Sequence, residues 1–287
     1  MSFKPPSEMF FIDNQNTYLY KTAFLSYHLL FSHHQKGEIR MKVFRSLSVV
    51  ALLIASLTAS AFAAPKSIKV ATDATWPPME MVDVNKQIVG YDIDFLNAVA
   101  KEAGVKVEFK NTAWDGIFAG LDSGQYDAII SSVTITDERK AKYDFTEPYT
   151  SIGQILVVPK TDKTTKTIAD LKGKKVGSQI GTTATMEIKK VPVVESKTYD
   201  EIGLAFEDMA AGRIAGVVCD EPVAAHFALQ KKEYKEKFKI VGKSFTKEGY
   251  GIVVKKGNKE LVDLLNKGIK SVKTKKIDTK IHTKWVK

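Results

Sequence analysis

Between Ser131 and Arg139 the chain reads Ser-Ser-Val-Thr-Ile-Thr-Asp-Glu-Arg, directly after the apolar run Ala128-Ile129-Ile130. Hydroxyls and a guanidinium in that place predict a polar site at the end of a buried strand. Thr136 suits the N-cap of a following helix, with Asp137 and Glu138 in its first turn, where carboxylates favour the positive end of the helix dipole. Arg139 has the wrong sign for that position. A cation there costs roughly 0.3–1 kcal/mol, which suggests that it faces an anion; the alternative is a surface arginine paired with a neighbouring acid.

Other polar groups fall where strands are expected to end: Asp73, Gln179, Thr182, Thr183 and Asp220, with Trp76 and Trp114 in adjoining loops. One arginine, hydroxyls, two aspartates and two indoles match a zwitterion with an apolar or cationic stem, and a free amino acid fits. Arg139, with Ser132 and Thr134, would hold the α-carboxylate, because guanidinium and carboxylate bond bidentately. Asp220 would accept from the α-ammonium, and backbone amides around Thr182 and Thr183 would complete the carboxylate site. Asp73 would meet the distal group while Trp76 and Trp114 sandwich the stem. Charge-assisted hydrogen bonds contribute about 1.5–3 kcal/mol each, whereas micromolar affinity needs roughly 8 kcal/mol. One wall alone would bind weakly, so closure around the ligand is expected.

The elements that must place these groups alternate. Ile68–Thr72 reads as a strand, Gly90 opens a helix through Ile93, Leu96 and Val99 to Gly104, and Val105–Phe109 is a strand. A helix beginning at Trp114 runs to Leu121, and Asp127–Ser132 is the third strand. Right-handed crossovers turn this into a mostly parallel sheet flanked by helices, with ligands beyond the carboxyl ends of its strands. A second section has strands near 154–159, 175–179, 193–195 and 215–220, and helices opened by Gly181-Thr182-Thr183, Glu201 and Glu221-Pro222. The segment 250–254 and a helix from Lys259 return to the first section. The expected α/β architecture therefore has two lobes, residues 65–150 plus 248–287 and residues 151–247, with two crossings that form a hinge.

The composition is that of a globular protein: 287 residues, 44% hydrophobic and 26% charged, long enough for one large or two medium domains. Met41, Lys42 and Arg45, the apolar run Leu47–Leu57 and Ala61-Phe62-Ala63 form a secretory signal peptide over 41–63. Residues 1–40 ahead of it are expected to be an untranslated or disordered extension. Removing residues 1–63 takes away six basic and three acidic residues and lowers the net charge from +10 to +7. The surplus is scattered lysine, without the arginine clusters or interleaved aromatics of a nucleic-acid interface. Cys219 is the only cysteine, so no intramolecular disulfide forms and no lipoprotein cysteine stands at the cleavage point.

Enzyme chemistry finds little support. His226 and His282 are the only histidines after the signal peptide, Cys219 has no evident histidine partner, and the chain lacks a glycine-rich nucleotide loop, metal-ligand spacing or a nucleophile elbow. No cofactor and no metal are expected. Asp92 and Asp94 read as ordinary carboxylates at a helix start.

In order and spacing, Ala71-Thr72-Asp73, Gly90-Tyr91-Asp92-Ile93-Asp94, Ser131 to Arg139, Asp144-Phe145-Thr146, Gly181-Thr182-Thr183 and Asp220-Glu221-Pro222 resemble the periplasmic solute-binding proteins of polar amino-acid ABC transporters. The resemblance covers Ile68 to Lys287. It implies a two-lobed periplasmic binding fold with the cleft at a two-strand hinge, and a monomer that delivers its ligand to an ABC permease in the inner membrane. Arg139 matches that family's carboxylate-binding arginine, Asp220 its ammonium-binding aspartate and Asp73 its side-chain-facing aspartate. Trp76 and Trp114 stand where tyrosine or phenylalanine is usual. Ser131-Ser132 resembles the serine pair of basic amino-acid binders, and Gln179 replaces a lysine of glutamine binders. Asp73 should repel acidic ligands. Arginine, lysine or histidine is therefore the expected ligand, with glutamine or another polar amino acid as the alternative; a dehydratase-like enzyme or a sensor module on the same lobes is a further one.

Overall fold

The computed structural model describes residues 67–286; the expected extension and signal peptide lie outside the described residues. The first section runs β1 (Ser67–Thr72), β2 (Thr75–Trp76), β3 (Glu80–Val82), β4 (Ile88–Val89), α1 (Tyr91–Ala103), β5 (Lys106–Asn111), α2 (Ile117–Asp122), β6 (Ala128–Ile129), α3 (Asp137–Lys142) and β7 (Tyr143–Phe145). The second runs β8 (Thr150–Ile152), β9 (Gln154–Pro159), a 3-10 turn (Ile168–Leu171), β10 (Lys175–Gln179), α4 (Thr183–Lys189), β11 (Glu195–Tyr199), α5 (Ile202–Ala210), β12 (Gly216–Asp220), α6 (Glu221–Ala225), a π-helical turn (His226–Gln230) and β13 (Phe238–Val241). The chain then returns through β14 (Glu248–Tyr250) and β15 (Val253–Lys255) to α7 (Lys259–Thr274) and α8 (Ile277–Trp285).

Two five-stranded sheets result, ordered β5-β1-β6-β15-β7 and β11-β10-β12-β9-β13. Each is parallel on one side and antiparallel on the other: β1 pairs parallel with β5 and β6, and β10 with β11 and β12, while β15 and β9 run against both of their neighbours. The parallel halves come from the helical crossovers. The antiparallel halves come from the strands that enter each sheet after a crossing. Between the sheets β8 and β14 pair antiparallel, Ser151 opposite Gly249, so both crossings lie side by side and the fold is two-lobed with a two-strand hinge. Gly153 follows β8 there, and a Cβ on it would lie 2.3 Å from the Thr246 carbonyl oxygen.

The strands are apolar because they are covered on both faces: Val70, Ala71, Val217, Val218 and Cys219 are all fully buried. Helix α1 buries Ile93, Phe95, Leu96 and Val99, and stops where Gly104 takes a left-handed conformation at φ 72°. Four local expectations shift. Trp114 precedes α2 rather than beginning it, because Gly116 at φ 97° starts the helix at Ile117. The third strand is only Ala128–Ile129, since Ser131 and Ser132 turn away from the sheet. The strand read near 193–195 lies at β11, which begins two residues later, at Glu195, and runs on to Tyr199. β7 was not foreseen as a strand; it completes the edge beside β15.

Candidate functional site

Ends of both sheets converge on one cavity, lined from the first lobe by Asp73, Trp76, Trp114, Ser131, Ser132, Thr134 and Arg139 and from the second by Gln179, Thr182, Thr183 and Asp220. The structure thus brings all eleven sequence-derived positions together. The cavity volume is about 20 Å³, room for about a single water, because the walls bond to each other directly. The lobes are closed.

Arg139 is placed by the local logic of α3. Thr136 caps the helix, its hydroxyl accepting from Arg139 N at 3.2 Å, and the side chain then crosses the cavity. Its guanidinium donates to the Thr134 carbonyl at 2.9 Å and to the Gly181 carbonyl at 3.1 Å, and lies 5.5 and 5.6 Å from the ring centres of Trp114 and Phe118. Only 9% of the residue is exposed. Burial lowers the pKa of Arg139, partly offset by the fields of Asp220 and Glu248. Among the described ion pairs Arg139 has no carboxylate partner, so the surface alternative does not apply. A buried cation bonded only to carbonyls is one that an anion would stabilise as its counter-charge. Trp114 forms the platform under it and is in contact with Arg139 as the expected stem sandwich did not foresee.

Asp220 ends β12 and receives Trp76 Nε1 at 3.2 Å, together with the Tyr250 hydroxyl and Gln154 Nε2. Burial raises its carboxyl to about 6 in spite of those donors. Asp73 accepts from Thr75 Oγ1 at 2.8 Å and from Gln179 Nε2 at 3.0 Å, and burial raises its pKa too. The Gln179 bond joins the two lobes, as do those of Trp76 and Arg139. Thr134 and Thr183 both donate to Glu248 Oε2 at 2.8 Å, and Thr182 N-caps α4 with its hydroxyl turned to the Gln179 carbonyl at 2.7 Å.

Two acids were missed and one was misread. Glu80, on β3, lines the cavity and is fully buried, accepting from Ser131 Oγ at 3.0 Å. Glu248, on the hinge strand β14, collects three threonine hydroxyls. Asp92 does stand in the first turn of α1, yet it is fully buried; its Oδ2 accepts from Ser132 N at 2.6 Å and from the Tyr149 hydroxyl at 2.8 Å. The amide bond holds Ser132 at φ 49°, a left-handed conformation that a serine adopts only when its surroundings impose it. Asp94 is the surface carboxylate expected, paired with Lys284 at 2.7 Å. Cys219 is fully buried and its thiol pKa is pushed well up by burial. Among the described residues no group of His, Cys, Asp and Glu could hold a metal ion, and no helix is long and apolar enough to cross a membrane.

The profile of the bacterial extracellular solute-binding proteins, family 3, matches residues 68–287. The L-cystine-binding protein TcyJ of Escherichia coli (strain K12) is 34% identical over 221 residues, covering 76% of this chain and 82% of the relative. ABC transporter arginine-binding protein 1 of the same strain is 36% identical over 239 residues, covering 83% and 97%. Among solved structures, an ancestral arginine-binding protein bound to arginine aligns with a TM-score of 0.73 at 43% identity, over 77% of this chain and 98% of that one. With a family match across nearly all of its described residues and relatives that are named as amino-acid-binding proteins, the chain belongs to the bacterial extracellular solute-binding proteins, family 3.

Proposed function

We propose that this protein binds a free basic amino acid, arginine, lysine or histidine, by closing its two lobes around it in the periplasm, and hands it as a monomer to an ABC permease in the inner membrane. The moving bodies are residues 65–150 with 248–287 and residues 151–247, about the paired strands β8 and β14. One observation carries the choice of ligand: acids outnumber cations at the cavity. Asp73, Glu80 and Asp220 line it and Asp92 backs it, against Arg139 as the only cation of the lining. A zwitterion with a cationic side chain brings one carboxylate for Arg139 and two positive groups for the acids. Arg139, with Ser132, Thr134 and the amides at Thr182 and Thr183, takes the α-carboxylate; Asp220 takes the α-ammonium; Asp73 and Glu80, with Ser131 and Gln179, face the distal group beside Trp76 and Trp114.

The arginine-binding names of similar proteins support this reading. A second reading, glutamine or another neutral polar amino acid, is favoured by the Gln179 amide and the Ser131 hydroxyl, which can serve an uncharged polar group. Binding without catalysis suits a site whose only thiol and histidines stand outside the cavity lining. Calorimetric titration of refolded, ligand-stripped protein against the amino acids decides: micromolar or tighter binding of a basic amino acid is expected. Tight glutamine binding without a response to basic ligands establishes the second reading, and tight glutamate binding overturns both.

A further inference from the structure

Helix α1 starts unusually close to β3. A Cβ on Gly90 would lie 2.2 Å from the Met79 carbonyl oxygen and 2.8 Å from Glu80 Cα, and Asp92 N donates to that same carbonyl at 2.9 Å. This contact brings the Asp92 carboxyl near the Glu80 carboxyl, and the Ser132 hydroxyl lies within 3.5 Å of an oxygen of each. Both residues are fully buried.

The donors around the pair are unequally shared. Asp92 Oδ2 has the Ser132 amide and the Tyr149 hydroxyl. Glu80 Oε1 has the Ser131 hydroxyl, and Ser132 Oγ lies 3.5 Å from Glu80 Oε2 and 3.4 Å from Asp92 Oδ2. Asp92 Oδ1 is buried without a hydroxyl or amide donor. The titratable groups that act on the pair are acids and phenols: Asp73 from the end of β1, Tyr91 from α1, Tyr149 ahead of β8 and Tyr250 from β14; Asp220 and the cation Arg139 line the same cavity as Glu80 without bonding to it. Neither carboxylate has an ion-pair partner among the described residues. Adjacent buried carboxylates with no cation do not both ionise. The amide and phenol favour the charge on Asp92, which leaves the proton on Glu80, the member that lines the cavity.

We propose that Glu80 and Asp92 share one proton beneath the cleft and that a cationic ligand side chain binds by displacing it to solvent, so that taking up a basic amino acid releases a proton while taking up a neutral one does not. Asp92 is thereby a positioning residue that sets the charge state of Glu80. The proposal rests on the basic-ligand reading and adds a proton to it. Burial and the neighbouring carboxylate raise Glu80 well above the usual range, and burial raises Asp92 to about 6, in keeping with a pair that holds its proton at neutral pH. Below the pH at which Glu80 ionises, affinity for a basic amino acid should rise up to about tenfold per pH unit, and affinity for glutamine should stay level.

Titration of ligand-stripped protein with arginine and glutamine at pH 7, in buffers of differing ionisation enthalpy, counts the protons. About 0.5–1 released with arginine and about none with glutamine are expected. In Asp92→Asn the anion that holds the proton is gone, so the release should fall by about half or more while arginine still binds; a merely structural role would weaken binding at an unchanged proton count. Infrared difference spectra of ligand-free protein at pH 7 should show a protonated carboxylic acid that Glu80→Gln removes. If arginine binds with no proton released, or Glu80→Gln folds and leaves the acid band unchanged, the shared proton is overturned. Should no basic amino acid bind, the ligand reading fails, and the infrared band still decides the proton. Should neither variant fold, the proton count of the unaltered protein decides it.

Discussion

Two neighbourhoods of the cleft carry opposite imbalances. Around Arg139 a buried cation is framed by carbonyls and aromatic rings, with no acid bonded to it. Around Glu80 buried acids lie together with no cation bonded to them. Each is costly alone, and each becomes favourable when the missing charge arrives. The first lacks what every amino acid carries, a carboxylate. The second lacks what only some carry, so on the proposed reading recognition of the class and choice within it would fall on different residues.

The comparison breaks most completely at the cation. Arg139→Ala should remove binding of every amino acid, a loss of about 30-fold to more than 1000-fold for a buried charged partner, read by calorimetry; normal binding would overturn the whole assignment. Asp220→Asn should weaken all ligands by about 10- to 100-fold through the α-ammonium, again without changing their order. Asp73→Asn should instead change the order, lowering affinity for basic amino acids by about tenfold and leaving glutamine close to its original value; a uniform loss would show that Asp73 does not choose.

The smallest effect concerns the protein without ligand. Asp220 and Asp92 are each raised to about 6 by burial, above the value of about 3.9 of an exposed aspartate. Between those values the folded state binds more protons than the unfolded one, so stability should fall as pH rises through that window. Below it the lowered carboxyls, Asp208 held down by Arg213 and Asp162 held near 2 by the Thr165 amide, act the other way. Ligand-free protein should therefore melt a few degrees higher near pH 5 than near pH 7.5, and saturating arginine should reduce that difference. A Tm that rises steadily to pH 7.5 would show that the buried acids do not dominate.

The Arg139 neighbourhood was legible in the sequence because its residues break local rules within one short stretch: hydroxyls after an apolar strand, and a cation at a helix start. Asp73 and Asp220 were legible as polar endings to apolar strands. Glu80 gave no such signal. It stands between Met79 and Met81 in a three-residue strand, where alternation with an acid reads as an exposed edge, and its hydroxyl partner Ser131 is 51 positions away. Asp92 had an adequate local explanation as a helix-start carboxylate, which concealed its tertiary one. The only hint was Gly90, whose missing side chain permits the approach of α1 to β3. Glu248 was hidden similarly, on a strand read only as a crossing. In the sheets, strand pairing direction depended on where the chain re-enters after each crossing, which periodicity does not encode.

The paired crossing strands β8 and β14 also bear on how fast the cleft can work. A single tether lets one body swivel about three axes, so each opening would be followed by an orientational search. Two strands bonded side by side along three residue pairs suppress twist and leave one soft rotation. If the lobes open and close as proposed, they would retrace a single path, and Arg139 would meet Gly181, and Gln179 would meet Asp73, in the same register each time. Loading would then be a one-dimensional excursion, with no reorientation to add.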